Sequence, residues 1–318
     1  MDDLCLPQFL NASCRKPKLR QSDVVFMYFL FFISFFTVVL NLLIIISLHT
    51  PTNLLILSLA VSDFIFGLVT PSEVYRQTSC WLLGDVMCSL HDFVGSVSVS
   101  ASVGVMVLIS VDRYLAICDP LHYPSRVTVR RVKICVCIFW ICCVVYYCFI
   151  LENELTQPER YNSCYGECAH LIEYLPGIID IALSITVPVT LIIILYMRVF
   201  VVAVSQAHAM QSHVAAITLQ HSRTVMTKKS ELKAARTLGV VVGVYLMSYC
   251  PYYYVLLSFL FNYPVYVFVE ALAIFMMYIN PCLNPVIYAL FYPWFRKAIR
   301  LIFSLQILQP GSRETNML

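Results

Sequence analysis

Seven apolar runs, near 24–48, 53–72, 86–111, 132–151, 175–203, 235–262 and 265–291, constrain this chain more than any other feature. Each is about 20 residues or longer, the length at which a helix crosses the hydrocarbon core of a bilayer. Lipid offers the backbone no hydrogen-bond partner, so such runs satisfy their own N–H and C=O groups as helices. Composition points the same way, with 60% of residues hydrophobic, 12% charged and a mean hydropathy of +0.80, far from a soluble domain. The expected fold is an all-α membrane protein, a seven-transmembrane helix bundle with a short amphipathic eighth helix. Residues 1–23 are expected to form an extracellular N-terminus, 24–291 the seven-transmembrane domain, and 292–318 the amphipathic helix and cytoplasmic tail.

Orientation follows from basic residues. With the N-terminus outside, Arg126, Arg130, Arg131, Lys133, Arg198, Lys228, Lys229, Arg236, Arg296, Lys297 and Arg300 fall on the cytoplasmic side, as the positive-inside rule requires. The outer loop after the fourth span holds Glu152, Glu154, Glu159, Glu167 and Glu173 against Arg160. An acidic mouth concentrates cations, although topology alone also leaves outer loops poor in basic residues. Residues 1–21 are polar, so the first span is expected to serve as its own insertion signal rather than as a cleaved peptide. Asn11-Ala-Ser13 is a glycosylation sequon on that outer segment. Six of the fourteen cysteines, Cys5, Cys14, Cys80, Cys88, Cys164 and Cys168, fall outside, where oxidation favours disulfides.

Polar residues inside the spans are costly and mark function. Asp63 is expected to meet Asn41, Asn280 and Asn284, with water or a sodium ion among them; a satisfied polar cluster without an ion is the alternative. Asp112 and Arg113 stand together after the charge-free run Val94 to Ile109, as expected where a helix leaves the bilayer at a working surface. Asp180 lies eight residues before Pro188, about 12 Å outward along a helix. It reads as the counterion of a cationic ligand, or as a structural acid bonded to a tyrosine on helix six or seven. Tyr249, Tyr252, Tyr253 and Tyr278 supply aromatic faces that attract an ammonium group, and Pro251 kinks helix six. Gly95 shares a face with Arg113, 18 residues or about 27 Å away, and Asp92 lies one turn further out. Phe291 to Phe303 reads as an amphipathic helix on the inner leaflet, and no cysteine after Cys282 is present to anchor it.

The stretch Ser110-Val-Asp-Arg-Tyr-Leu-Ala-Ile-Cys-Asp-Pro-Leu-His-Tyr123, with Asp63, Pro251 and Asn284-Pro285-Val-Ile-Tyr288, resembles the rhodopsin-like G-protein-coupled receptors. Further strings narrow this. Cys5-Leu-Pro with Asn11-Ala-Ser-Cys14-Arg-Lys, His49-Thr-Pro-Thr-Asn-Leu-Leu-Ile-Leu-Ser-Leu-Ala60, Lys228-Lys-Ser-Glu-Leu-Lys-Ala-Ala-Arg-Thr-Leu-Gly239 and Phe291-Tyr-Pro-Trp-Phe-Arg-Lys297 look like the trace amine-associated receptors. The resemblance implies a plasma-membrane receptor for a small amine that raises cyclic AMP through a stimulatory G protein. It also implies a Cys88–Cys168 disulfide; Cys14–Cys164 is the expected second pair, with Cys5 and Cys80 left over.

Asp112, Arg113, Tyr114, Pro251, Asn284, Pro285 and Tyr288 would form the coupling switch, with Glu231 pairing Arg113 at rest. Three departures from the family pattern stand out: a short first loop at His49-Thr-Pro51, Tyr249 in place of a tryptophan, and Gly95 where aminergic receptors carry an aspartate. Gly95 with Asp180 resembles members, prominent in fish, that carry the acid on helix five instead. Asp92 and Glu73 would then be free to take the second ammonium of a diamine.

Other classes fit less well. No catalytic constellation or recurrent metal spacing appears among the seven histidines, no cofactor beyond sodium is implied, and nothing suggests nucleic acid. A transporter would show internal repeats and interrupted helices. A receptor-like protein with a non-amine ligand or impaired signalling is the remaining alternative. Membrane lipid, an amine and a G protein are the expected partners.

Overall fold

A computed structural model of the chain describes residues 4–5, 13–16, 18, 20–47, 54–156, 164, 166–168, 174–214, 222–261, 263–291, 295–296 and 299–300. The long helices are α1 (Gln21–Ser47), α2 (Leu54–Thr78), α3 (Asp85–Cys118), α4 (Val129–Thr156), α5, α6 (Ser222–Leu260) and α7 (Val267–Phe291). A single helical turn, Tyr123–Arg126, joins α3 to α4. The fifth helix runs in three contiguous pieces, Tyr174–Ile181, a π-helical turn Ala182–Thr186, and Val187–Val214. Among the described residues, six of these helices carry a stretch long and apolar enough to span a membrane. Side chains in the inner part of α6 lie outside the described residues.

The third helix is the axis of the bundle and packs against α2, α4, α5 and α6. Of its most apolar window 61% is buried, against 11% for α4 and 17% for α5, whose remaining faces are left for lipid. Its sequence explains the position. Ser98, Ser100, Ala101, Ser102 and Gly104 are small and buried or nearly so, which lets neighbouring backbones approach. Their hydroxyls do not go unpaired: Ser98 Oγ donates to the Val94 carbonyl (2.7 Å) and Ser110 Oγ to the Met106 carbonyl (2.7 Å). Gly104 is where the Phe139 ring of α4 lies closest, and a methyl group there would collide with it. The main apolar core, including Ile44, Leu59, Val103, Met106, Ile192, Tyr245, Tyr249 and Tyr288, surrounds the inner two thirds of α3.

The π turn of α5 was not legible in the sequence. Thr186 Oγ1 reaches back five residues to the Ile181 carbonyl (3.4 Å), and the widened turn rotates Asp180 relative to the inner half of the helix. At the other end of the chain, Phe295, Arg296, Ile299 and Arg300 are helical. Phe295 is buried in the core, and Arg296 Nη1 donates to the Ala289 (3.1 Å) and Leu290 (2.8 Å) carbonyls, capping α7. The rest of the segment read as an amphipathic helix lies outside the described residues. So do Asn11 and the loop at His49-Thr-Pro51.

Three disulfides close the outer side: Cys88–Cys168, Cys14–Cys164 and Cys5–Cys80, with Cα separations of 5.7, 5.1 and 5.5 Å. The two cysteines left over by the sequence reading thus pair with each other. The physical reason is local. The Cys5 N–H donates to the Cys14 carbonyl (2.8 Å), setting the two N-terminal cysteines side by side so that one reaches the α2–α3 loop and the other the α4–α5 loop. Trp81 N–H donates to the Gly166 carbonyl (2.9 Å), joining those loops directly.

Gly104→Ala should lower the melting temperature of the detergent-solubilised protein by several degrees, because overpacking a tight contact costs about 1–3 kcal/mol. Adding Phe139→Ala should restore much of that loss; a double variant less stable than Gly104→Ala alone would show that the α3–α4 contact is not the cause.

Candidate functional site

A cavity of about 480 Å³ opens in the outer half of the bundle, within the usual range for small-ligand pockets. All of α2, α3, α5, α6 and α7 line it, and α4 contributes Tyr147. Its middle is apolar, with Phe66, Val69, Val99, Leu256, Ile274 and Met277, and it has two polar ends.

At one end is Asp180. Tyr147 OH and Ser184 Oγ both donate to Asp180 Oδ1 at 3.1 Å. Tyr147 OH also meets Ser100 Oγ at 2.8 Å; its single proton goes to the carboxylate, so Ser100 is the donor in that pair. The partner expected on helix six or seven therefore comes from α4. Hydroxyl donors orient the carboxylate without neutralising it, and among the described residues no Lys, Arg or His forms an ion pair with Asp180. Tyr147 and Ser184 were missed from sequence; the serine, one helical turn from the acid, was the available signal.

At the other end lies Glu73, which the sequence reading left free for a second ammonium. It is not free. Arg76 grips it with Nε to Oε2 (2.8 Å) and Nη2 to Oε1 (2.8 Å), Gln77 Nε2 donates to Oε1, and His91 Nε2 lies 3.1 Å from Oε2. Asp92 lines the cavity beside them, its Oδ1 3.6 Å from His91 Nε2. Gly95 lies between the two ends, where an added Cβ would have only Val69 Cγ1 within reach, at 4.0 Å.

Tyr252, Tyr253 and Tyr278 line the cavity, but Tyr249 does not. It is buried one turn deeper on α6, between Tyr245 and Tyr253, with ring centroids 4.7 and 6.2 Å away. A four-residue step along a helix moves inward as well as round, so Tyr249 forms the floor beneath the pocket and packs the core.

Below the pocket, Asp63 accepts from Asn284 Nδ2 (2.8 Å) and Ser102 Oγ (3.0 Å), and Ser102 meets Ser62 Oγ at 2.8 Å. Among the described residues Asn41 makes no hydrogen bond to Asp63: Asn41 Nδ2 donates instead to the Thr37 and Pro281 carbonyls (3.0 Å each), tying α1 to α7. Asn280 has no hydrogen bond to Asp63 among the described residues, and its buried Nδ2 has no partner there. Ser102 takes the place assigned to the two asparagines.

At the inner end of α3, Arg113 pairs with its neighbour Asp112, Nη2 to Oδ2 at 2.6 Å and Nε to Oδ2 at 2.9 Å. Tyr123 OH donates to the other oxygen of Asp112 (2.9 Å). Burial and the adjacent Asp112 charge push the Tyr123 phenol up to about 12, so it remains a donor at physiological pH. Asp119 caps α3 and is clamped by His122 Nδ1 (2.7 Å) and Arg126 Nη1 (3.1 Å); the His122 hydrogen bond holds its carboxyl below the ordinary value. Tyr114 is half-buried on the next helix position, and Asn284, Pro285 and Tyr288 are buried in α7. The Glu231 side chain, expected opposite Arg113, lies outside the described residues.

The chain thus combines an outer cavity whose Asp180 has no ion-pair partner among the described residues, a polar cluster beneath it and an Asp-Arg pair at the opposite end of the bundle. Residues 36–288 match the family described as 7 transmembrane receptor (rhodopsin family). Trace amine-associated receptor 8a of Rattus norvegicus is 36% identical over 95% of this chain and 93% of its own length. Trace amine-associated receptor 5 of Rattus norvegicus is 37% identical over 85% and 80%, and trace amine-associated receptor 6 of Pan troglodytes 35% identical over 99% and 95%. The chain is thus a multi-pass membrane receptor and not an enzyme, and it belongs to the rhodopsin family of seven-transmembrane receptors and, within it, to the trace amine-associated receptors.

Proposed function

We propose that this receptor senses a small amine whose ammonium group is neutralised by Asp180, and that it signals from the plasma membrane through a stimulatory G protein to raise cyclic AMP. One observation carries the ligand reading: a carboxylate held by hydroxyl donors, Tyr147 and Ser184 among them, in an aromatic-walled cavity, with no ion-pair partner among the described residues. A negative charge away from water is expensive without a cation. The names of the relatives supply the class of cation, and Gly95 with Asp180 follows the pattern of members that carry the acid on helix five.

Neutralising Asp180 draws the outer half of α5 toward the ligand, and the π turn supplies a point where that half can rotate. At the inner face, the Asp112–Arg113–Tyr123 set is the element to be released, so that Arg113 can face the G protein as α6 swings outward. Asp63, Ser102 and Ser62 present hard oxygen donors of the kind that suit sodium. We take this cluster as a sodium site whose occupancy favours the resting state, with Asn280 turning its amide to contribute.

Asp180→Asn should weaken the cyclic AMP response to the agonist amine by about a hundredfold or more, since a charge-assisted contact contributes roughly 1.5–3 kcal/mol and the desolvated cation would be left unpaired. Tyr147→Phe should cost closer to tenfold. Unchanged potency in Asp180→Asn at equal surface expression would refute the counterion. Arg113→Ala should abolish cyclic AMP production while leaving amine binding measurable; loss of binding as well would contradict the separation of pocket from switch. Asp63→Asn should remove the sodium sensitivity of agonist affinity, and a sodium effect that survives would place the ion elsewhere.

A further inference from the structure

Among the described residues that line the cavity, the carboxylates are Glu73, Asp92, Asp180 and Glu270 and the basic side chains are Arg76 and His91. In formal charge the lining therefore has an excess of three negatives with His91 neutral and of two with His91 protonated. A ligand with a single ammonium leaves at least one negative charge uncompensated, whichever form His91 takes. Uncompensated charge away from water is costly.

The excess is not spread evenly. Glu73 is taken up by Arg76, Gln77 and His91, and Asp92 stands beside the same histidine, its Oδ1 3.6 Å from Nε2. Asp180 has hydroxyl donors and no ion pair. Glu270 has less: among the described residues its side chain makes neither an ion pair nor a hydrogen bond, and only its backbone N–H is engaged, by the Tyr266 carbonyl (3.2 Å). It is half-buried in the first turn of α7. A helix N-terminus favours an acid, which makes the charge tolerable there and still leaves it without a cation.

The spacing of these two acids can be read from the helices. Asp63 accepts from Ser102 of α3 and Asn284 of α7, which sets those two residues at about one depth. Glu270 lies fourteen residues outward from Asn284 along α7, about 21 Å. Ser100, joined to Asp180 through Tyr147, lies two residues outward from Ser102, about 3 Å. Asp180 is thus the deep acid and Glu270 the one at the mouth. The reach of both side chains shortens the gap, so cations about 10–15 Å apart fit it. Between them the cavity wall is apolar, with Ile274 and Met277 following Glu270 inward on α7 and Val99 and Leu256 facing from α3 and α6.

Resting on the amine reading above, we propose that Glu270 is a second ammonium-binding residue at the outer end of the cavity, and that the preferred ligand is a long dication: a linear amine with an ammonium at each end, one on Asp180 and the other on Glu270, joined by an apolar chain. A fully extended chain advances about 1.2 Å per bond, so butane-1,4-diamine spans about 6 Å between nitrogens and decane-1,10-diamine about 13 Å. The short diamine reaches one acid; the long one reaches both.

The test needs no G protein, because thermal stabilisation of the purified full-length receptor reports affinity. The probes are terminal diamines of four, six, eight and ten carbons, each beside the monoamine of the same length. At eight or ten carbons the diamine should bind at least about tenfold more tightly than its monoamine, the effect of one charge-assisted contact, and at four carbons it should show no such advantage. In Glu270→Gln the long-chain ratio should fall to about one, while the four-carbon ratio stays as in the wild type. Uptake of the amines by detergent is common to both proteins and cancels in that comparison. Glu270→Lys should invert the preference, with decylamine bound more tightly than decane-1,10-diamine; retained binding of decylamine shows that the variant is folded. A long-chain advantage that survives in both variants, or one greatest at four carbons, would overturn the Glu270 subsite while leaving the amine reading standing. No stabilisation by any of the eight amines would overturn both.

Discussion

A charge inside a low-dielectric bundle must find a partner, and that requirement organises this receptor. Glu73 has Arg76, Asp112 has Arg113, and Asp63 has Asn284 and Ser102. Each of these sets joins residues of one helix to another or fixes the end of a helix. Asp180 differs in having donors without positive charge. On the reading proposed above, the same physics that holds the other acids in place leaves this one to a diffusible cation, and the hydroxyls beside it hold it in orientation. Tyr147, buried on α4, is the clearest example: its hydroxyl accepts from Ser100 and donates to Asp180, so α3 and α4 hold an acid that belongs to α5.

Much of this fold is legible in the sequence because the bilayer turns a long-range problem into a local one. Twenty apolar residues cross lipid as a helix whatever their neighbours are. The helix-turn arithmetic linking Gly95 to Arg113 works because α3 runs unbroken from Asp85 to Cys118. The same arithmetic on α5 meets a π turn at Ala182–Thr186, which no residue there announces, since a π turn is a matter of backbone accommodation rather than composition. Partners were less legible still. That Asp180 turns toward a cavity is legible from its lone charge, but that Tyr147 rather than a helix-six tyrosine meets it depends on how α4 docks. Likewise Asn41 turned to the Pro281 carbonyl, because a proline in α7 leaves a backbone acceptor exposed where the asparagine can reach it.

The tyrosines of α6 show how one residue type divides between roles by register alone. Tyr245, Tyr249 and Tyr253 follow one another at intervals of four and form a continuous buried stack, while Tyr252, offset by one residue, turns toward the cavity and meets Tyr253 edge to face at 5.4 Å. Tyr253 belongs to both sets, lining the pocket and resting on Tyr249. A ligand that shifts Tyr253 therefore acts on a column of rings that reaches well into the core beside α3. The substitution of tyrosine for the usual tryptophan at 249 leaves the column intact and changes the size of one ring in it.

The Cys14–Cys164 disulfide joins residues 150 apart in the chain, and this sets an order of events during synthesis. Four spans must be made and inserted before the second cysteine reaches the oxidising side. At ribosomal rates of about 5–20 residues per second, the first thiol waits roughly ten to thirty seconds. Cys80 and Cys88 arrive earlier, and either is a nearer partner for the waiting thiol. Hydrogen bonding between Cys5 and the Cys14 carbonyl places Cys5 within reach of Cys80. Closing that 75-residue loop first occupies the earliest competitor, so the disulfide the sequence did not pair acts as a guard on the biogenesis of the one that follows.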